Sequence, residues 1–211
     1  MTSARLFATL FVAGAVVAAW PGPADAVVRR VAAPLLWHRT AVSGFYGSGL
    51  PVGEFADSRD GDGNHEDWAP DWTVEIEHFA SHTVSIGFSM ANTTYTDKTY
   101  SDLETNLSTY SGFLRAVVPT GSAVRPYVRG GIGSVQVEFQ DATSRVDAEY
   151  SWSFQFGGGL LWLPVRWLGL NAQALYYLDS TQDAYIAENN TVVGFDCTYW
   201  VFAGGVSLFF P

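Results

Sequence analysis

Ionisable side chains are scarce in this chain, and four of them sit among apolar and small residues. Glu75 and Glu77 stand two apart in DWTVEIEHFA, Arg115 lies in SGFLRAVV and Arg129 in RPYVRGG. Two carboxylates and two guanidinium groups can form an ion cluster: a gate or selectivity filter if water reaches it, a plug if it does not. Buried charges are held mainly by mutual pairing, which favours the plug. A second group, Asp60, Asp62, Asn64 and Glu66, followed by Asp67 and Asp71, opens like an oxygen-rich calcium loop. His65 occupies the place where such a loop needs glycine for its turn, so the stretch reads first as a solvated acidic loop and only secondarily as a cation contact. His38, His65, His78 and His82 show no metal-ligand spacing, no GxSxG elbow occurs, and the one Ser–His pair, Ser81 and His82, falls in a short connection. No catalytic residue, metal site or cofactor is therefore expected. Asn92, Asn106 and Asn190 begin N-x-[ST] triplets, which occur by chance in a chain rich in Ser and Thr.

These residues must be positioned by a chain of unusual balance. Of 211 residues 48% are hydrophobic and 15% aromatic, but only 15% are charged, against about 25% in ordinary soluble domains. The net charge of −10 has the wrong sign for a nucleic-acid partner. Beyond the first 20 or so residues no apolar run reaches the length of a spanning helix. Residues 1–26 have the layout of an export signal, with Arg5, an apolar run over 6–20 and small residues ending in Ala26, after which cleavage is expected. In an oxidising compartment the lone Cys197 can form no intrachain disulfide and reads as a packing residue. Residues 27–39, with a proline and no alternation, read as an irregular lead-in, and 40–211 as one domain.

From Thr40 onward the dominant signal is period 2, the mark of strands with unlike faces. Trp72, Val74 and Ile76 alternate with Thr73, Glu75 and Glu77; Val84, Ile86 and Phe88 with Ser85, Gly87 and Ser89; Trp152 and Phe154 with Ser153 and Gln155. Leu170 lies on the apolar face of a later segment, and Phe202, Val206 and Leu208 on that of the last. Eight such segments are joined by connections near 55–71, 79–82, 92–106, 119–125, 140–149, 164–166 and 179–194, which run long and short in turn. The long ones are acidic and contain Tyr95, Tyr100 and Tyr185 as contact rings, around centres near Asp62, Asp97, Ser144 and Glu188. An even number of strands of about ten residues, joined alternately by tight turns and long loops, is the plan of a transmembrane β-barrel. The apolar faces carry so many rings that an eight-stranded interior would be overfilled by them, so those faces are predicted to meet lipid and the Gly/Ser/Thr/Gln faces to line the lumen. Charge is costly in lipid, which turns Glu75, Glu77, Arg115 and Arg129 inward.

The passages SGFYGSGLPVG, RPYVRGGIGSVQ and YWVFAGGVSLFF, in this order, resemble the small eight-stranded outer-membrane β-barrel family that includes the opacity-type surface proteins and the membrane domain of outer membrane protein A. The resemblance spans about residues 40–210. It implies a closed antiparallel all-β barrel in a Gram-negative outer membrane, both termini periplasmic, surrounded by outer-membrane lipid and lipopolysaccharide. Members usually end on an aromatic residue, whereas here Pro211 follows Phe209 and Phe210. The function expected is a non-enzymatic, monomeric structural or surface-interaction protein with a largely plugged lumen, at most a small-solute pore, whose acidic loops meet a cationic or divalent-bridged partner. The alternatives are a secreted lipocalin-like barrel with an apolar ligand, which long-short alternation disfavours, and a lipid A-modifying enzyme.

Overall fold

The computed structural model describes residues 36–53, 56, 68–96, 104–140, 145–147, 150–179, 182–186, 191–195 and 197–211. The expected export signal, residues 27–35 of the lead-in, and Asp60, Asp62, Asn64 and Glu66 lie outside these. Among the described residues no helix is long and apolar enough to cross a membrane.

Eight strands build the wall: β1 (Thr40–Val52), β2 (Ala69–Phe79), β3 (Val84–Thr96), β4 (Glu104–Val117), β5 (Val124–Gln140), β7 (Ser151–Val165), β8 (Leu168–Asp179) and β11 (Thr198–Phe210). Each pairs antiparallel with the wall strand before it, and β1 closes the circle on β11 from Thr40↔Phe210 to Val52↔Thr198. Closure removes every free edge, which is what allows strands to stand in lipid. Three short strands fall where loops were expected: β6 (Arg145–Asp147) extends the pairing of β5, and β9 (Gln182–Ile186) and β10 (Thr191–Phe195) form a hairpin.

The wall is also taller than the alternation indicates. β3 runs to Thr96 and β2 begins at Ala69, so the connections shorten at both ends. In NTTYT both faces are polar, and the hydrophobic signal vanishes although Thr and Tyr favour strands. On the outer side Asn92 Nδ2 donates to Ser108 Oγ at 3.1 Å and Thr94 Oγ1 to Asn106 Oδ1 at 2.6 Å. These pairs replace the apolar contacts found lower down.

Throughout the wall the buried residues have odd numbers. The residues assigned to lipid, Trp72, Val74, Ile76, Val84, Ile86, Phe88, Trp152, Phe154, Leu170, Val206 and Leu208, are all exposed. Phe202 is half-buried beneath Trp68 and Trp200. An apolar band of this extent is far larger than the patches that water tolerates on a monomer. Charged residues on the outward face are confined to Glu104 and Glu138 near one end of the wall and His78 near the other.

The ring-volume expectation needs correction. Phe45, Phe79, Tyr95, Phe113, Tyr127, Tyr177, Tyr199 and Phe209 are all buried inside the barrel. They fit because glycine faces many of them: a Cβ on Gly87 would stand 2.4 Å from Phe113 Cζ, one on Gly205 2.4 Å from Phe45 Cδ1, and one on Gly49 2.6 Å from Tyr95 Oη. Rings and glycines thus share the lumen in complementary pairs. They form two apolar layers, one around Tyr95, Leu107, Val135, Tyr177 and Tyr199, the other around Phe79, Val117, Leu161 and Phe209. The lead-in contributes to the second, where Leu36 is buried.

Candidate functional site

Between the apolar layers lies the ion cluster. β2 presents Glu75 and Glu77 inward, β4 presents Arg115 and β5 presents Arg129. Arg115 Nη2 donates to Glu75 Oε2 at 2.9 Å and its Nη1 to Glu77 Oε1 at 2.7 Å, while Arg129 Nη1 donates to Glu75 Oε1. All four side chains are shut off from solvent. Arg115 and Arg129 are direct cross-strand partners, so two like charges stand side by side. The Glu75 carboxylate, with one oxygen on each, removes that repulsion.

Sequence reasoning identified the four charges but not their support. Ser85 Oγ donates to Glu77 Oε2 at 2.6 Å, and Arg129 Nη2 donates to Ser89 Oγ at 2.8 Å. Ser89 and Ser111 hydroxyls share a hydrogen bond at 2.8 Å, and Gln155 Nε2 donates to Ser111 Oγ. The guanidinium of Arg115 lies 4.5 Å from the centroid of Tyr127, and that of Arg129 lies 3.8 Å from Phe113. Each cation is thus held by carboxylate and ring together. The signal for these partners was their odd parity, shared with the charges.

Two further carboxylates stand in the outer half of the lumen. Asp71, expected in the first acidic loop, is a buried inward residue of β2 and accepts from Thr93 Oγ1 at 2.8 Å and Thr73 Oγ1 at 3.3 Å. Asp179, expected to open the last loop, ends β8 and is buried. Tyr95, expected as a contact ring on a loop, is buried against Tyr199 at 6.3 Å between centroids. Asp97, Tyr100, Ser144 and Glu188 lie outside the described residues.

At the opposite rim three of the four histidines collect. Trp37 stacks on His38 at 4.5 Å and meets His82 edge-on at 5.4 Å, and Thr40 Oγ1 lies 3.2 Å from His78 Nδ1. Ser81 Oγ accepts from the N–H groups of Thr83 and Val84, closing the turn, and no hydrogen bond joins it to His82. Among the described residues no group of three or more His, Cys, Asp or Glu side chains could hold a metal ion. Cys197 is buried and forms no disulfide.

A closed wall of eight strands, an apolar exterior and a charged, internally paired lumen decide the class. The fold is that of the small outer-membrane β-barrels. Neisserial surface protein A superposes with a TM-score of 0.56 at 14% identity, covering 81% of this chain and 97% of its own. The attachment invasion locus protein of Yersinia pestis gives 0.53 at 16%, covering 82% and 99%. Outer membrane protein AlkL, solved in lipid bilayers, gives 0.54 at 19%, covering 91% and 95%. No family model matches the sequence, and no curated protein matches it.

Proposed function

We propose that this chain is a monomeric, non-enzymatic outer-membrane barrel whose lumen is closed by the Glu75–Glu77–Arg115–Arg129 network and whose acidic connections form the working surface. The observation that carries the reading is the complete burial of all three ion pairs in the middle of the barrel. An aqueous pore would leave these side chains hydrated. Here the charges satisfy one another, and serine and glutamine side chains fill the section around them. With the lumen filled and the wall facing lipid, the connections are left to meet partners. Most of the acidic residues lie in or beside the long connections, which suits a cationic partner or lipopolysaccharide bridged through divalent ions.

Planar-bilayer recording on the refolded protein tests the closure. The wild-type chain is expected to give no steady conductance, and Glu75→Ala, which removes the shared carboxylate, to give intermittent opening. Steady conductance by the wild type would overturn the plugged reading.

A further inference from the structure

The short-turn end of the wall is built without acidic side chains. No Asp or Glu occurs in residues 27–53, 78–96, 105–137, 150–178 or 197–211, stretches that include the lead-in, the three short connections and the last strand. In their place stand half-buried Arg39, exposed Arg166, the three exposed histidines and the exposed rings of Trp37 and Trp167. Among the described residues no ion pair involves either arginine.

The fold holds these two arginines close. Leu36 is buried in the apolar layer at this end and its carbonyl accepts from the Arg39 N–H at 3.1 Å; His38 N–H donates to the Phe79 carbonyl at 3.0 Å, and Phe79 N–H to that of Arg39 at 2.9 Å. A tight turn thus ties Arg39 to the end of β2. From there Arg39 Nη1 donates to the carbonyl oxygen of Arg166 in the β7–β8 connection, where the Trp167 carbonyl in turn accepts from Phe209 N–H at 2.9 Å. One guanidinium therefore lies against the residue that carries the other. A guanidinium has five N–H donors, so a single bond to a carbonyl leaves it able to bind an anion. The pair also stands at the edge of the lipid-facing wall: Phe210, Leu208 and Ile76, which pair with Thr40 and Val42 just after Arg39, are all exposed.

We propose that this end is a docking surface for anionic phospholipid, with Arg39 and Arg166 gripping the headgroup phosphate and Trp37 and Trp167 flanking it. Guanidinium forks match phosphate oxygens, and tryptophan rings settle where headgroups meet acyl chains. The sequence leading into Leu36 adds Arg29 and Arg30 without an acid, which strengthens the attraction of a negative leaflet. Lipid suits the surface better than an acidic protein, because cations at the margin of the apolar wall lie where headgroups already are. The inference goes beyond the closed lumen and the acidic connections and stands whether or not either works as proposed.

The test gives the refolded full chain, in dodecyl maltoside micelles, equal amounts of phosphatidylglycerol and phosphatidylcholine and counts the retained lipids by native mass spectrometry. The protein is folded before lipid is added, so insertion does not enter the comparison. Phosphatidylglycerol is expected to be retained about tenfold or more over phosphatidylcholine, and Arg39→Gln/Arg166→Gln to bring this to about twofold or less. Raising the ammonium acetate concentration should weaken the wild-type preference through screening. Arg59→Gln, in the acidic connection between β1 and β2, should leave it unchanged. Equal retention of the two lipids by the wild type overturns the proposal, as does a preference that the double variant keeps. Should the double variant lack the gel shift of a folded barrel, Arg166→Gln alone decides, since that side chain is exposed. A preference reduced about threefold or more supports the site, and an unchanged one refutes it.

Discussion

Glu75 answers two arginines with one carboxylate, so its loss is felt twice. In Glu75→Gln the adjacent guanidinium groups of Arg115 and Arg129 keep their charge and lose the group between them, whereas in Glu77→Gln Arg115 retains Glu75. Removing one partner of a buried pair costs about 3–5 kcal/mol. Glu75→Gln should lose at least that much in urea unfolding followed by the gel shift between folded and unfolded barrel, and Glu77→Gln clearly less. Equal losses would show that the carboxylates act separately. These four charges could be read from sequence because each lies within a strand whose apolar neighbours mark the lipid face. Asp71, Asp179 and Tyr95 could not, because each sits at or near a strand end: Pro70 imitates a turn beside Asp71, Asp179 is the last residue of its strand and is followed by polar Ser180 and Thr181, and Tyr95 lies in NTTYT, where both faces are polar. A carboxylate beside a proline reads as loop until the pairing of Pro70 with Ser48 shows it in the wall.

At the level of strands, the lumen is filled by pairing each bulky side chain with a neighbour that has none. Gly87 faces Phe113 across the β3–β4 ladder, and an added Cβ would also lie 2.6 Å from the Ile76 carbonyl oxygen. Gly112, one position from Phe113 but facing outward, would bring its Cβ within 4 Å of nothing. Gly87→Ala should therefore cost about 1–3 kcal/mol through overpacking, while Gly112→Ala stays within about 0.5 kcal/mol of the parent. Urea midpoints of the two variants check this, and equal midpoints would mean that the lumen yields to an extra methyl group. Strand count, order and facing were legible because period 2 is a long-range signal. The inward rings escaped notice because the space a ring needs is set by the residue opposite, which periodicity along one strand cannot show. β6, β9 and β10 escaped for a related reason: three- to five-residue strands among polar residues carry too few alternations to register.

The whole molecule has a charge axis. Its short-turn rim carries Arg39, Arg166, His38, His78 and His82 with exposed Trp37 and Trp167, and no exposed carboxylate stands there among the described residues. The other end bears Glu104 and Glu138 and the acidic connections, of which 53–68 alone contributes Glu54, Asp57, Asp60, Asp62, Glu66 and Asp67. When a barrel of this kind enters a preformed bilayer, one set of connections must cross it, and the acidic set then passes a layer of lipid phosphates. Anionic headgroups repel it, zwitterionic ones do so far less, and salt screens the difference, since the Debye length falls from about 10 Å at 0.1 M to about 3 Å at 1 M. Refolding into phosphatidylglycerol vesicles should accordingly be slower than into phosphatidylcholine vesicles at low salt and nearly equal at 1 M, with the folded fraction followed by gel mobility. Deleting residues 57–67 should narrow the low-salt gap while leaving folding intact, because β1 and β2 pair from Thr40↔His78 to Gly49↔Ala69 without them. A gap that survives 1 M salt, or that the deletion leaves unchanged, would show that the acidic end does not set the rate and that strand closure between β1 and β11 limits insertion instead.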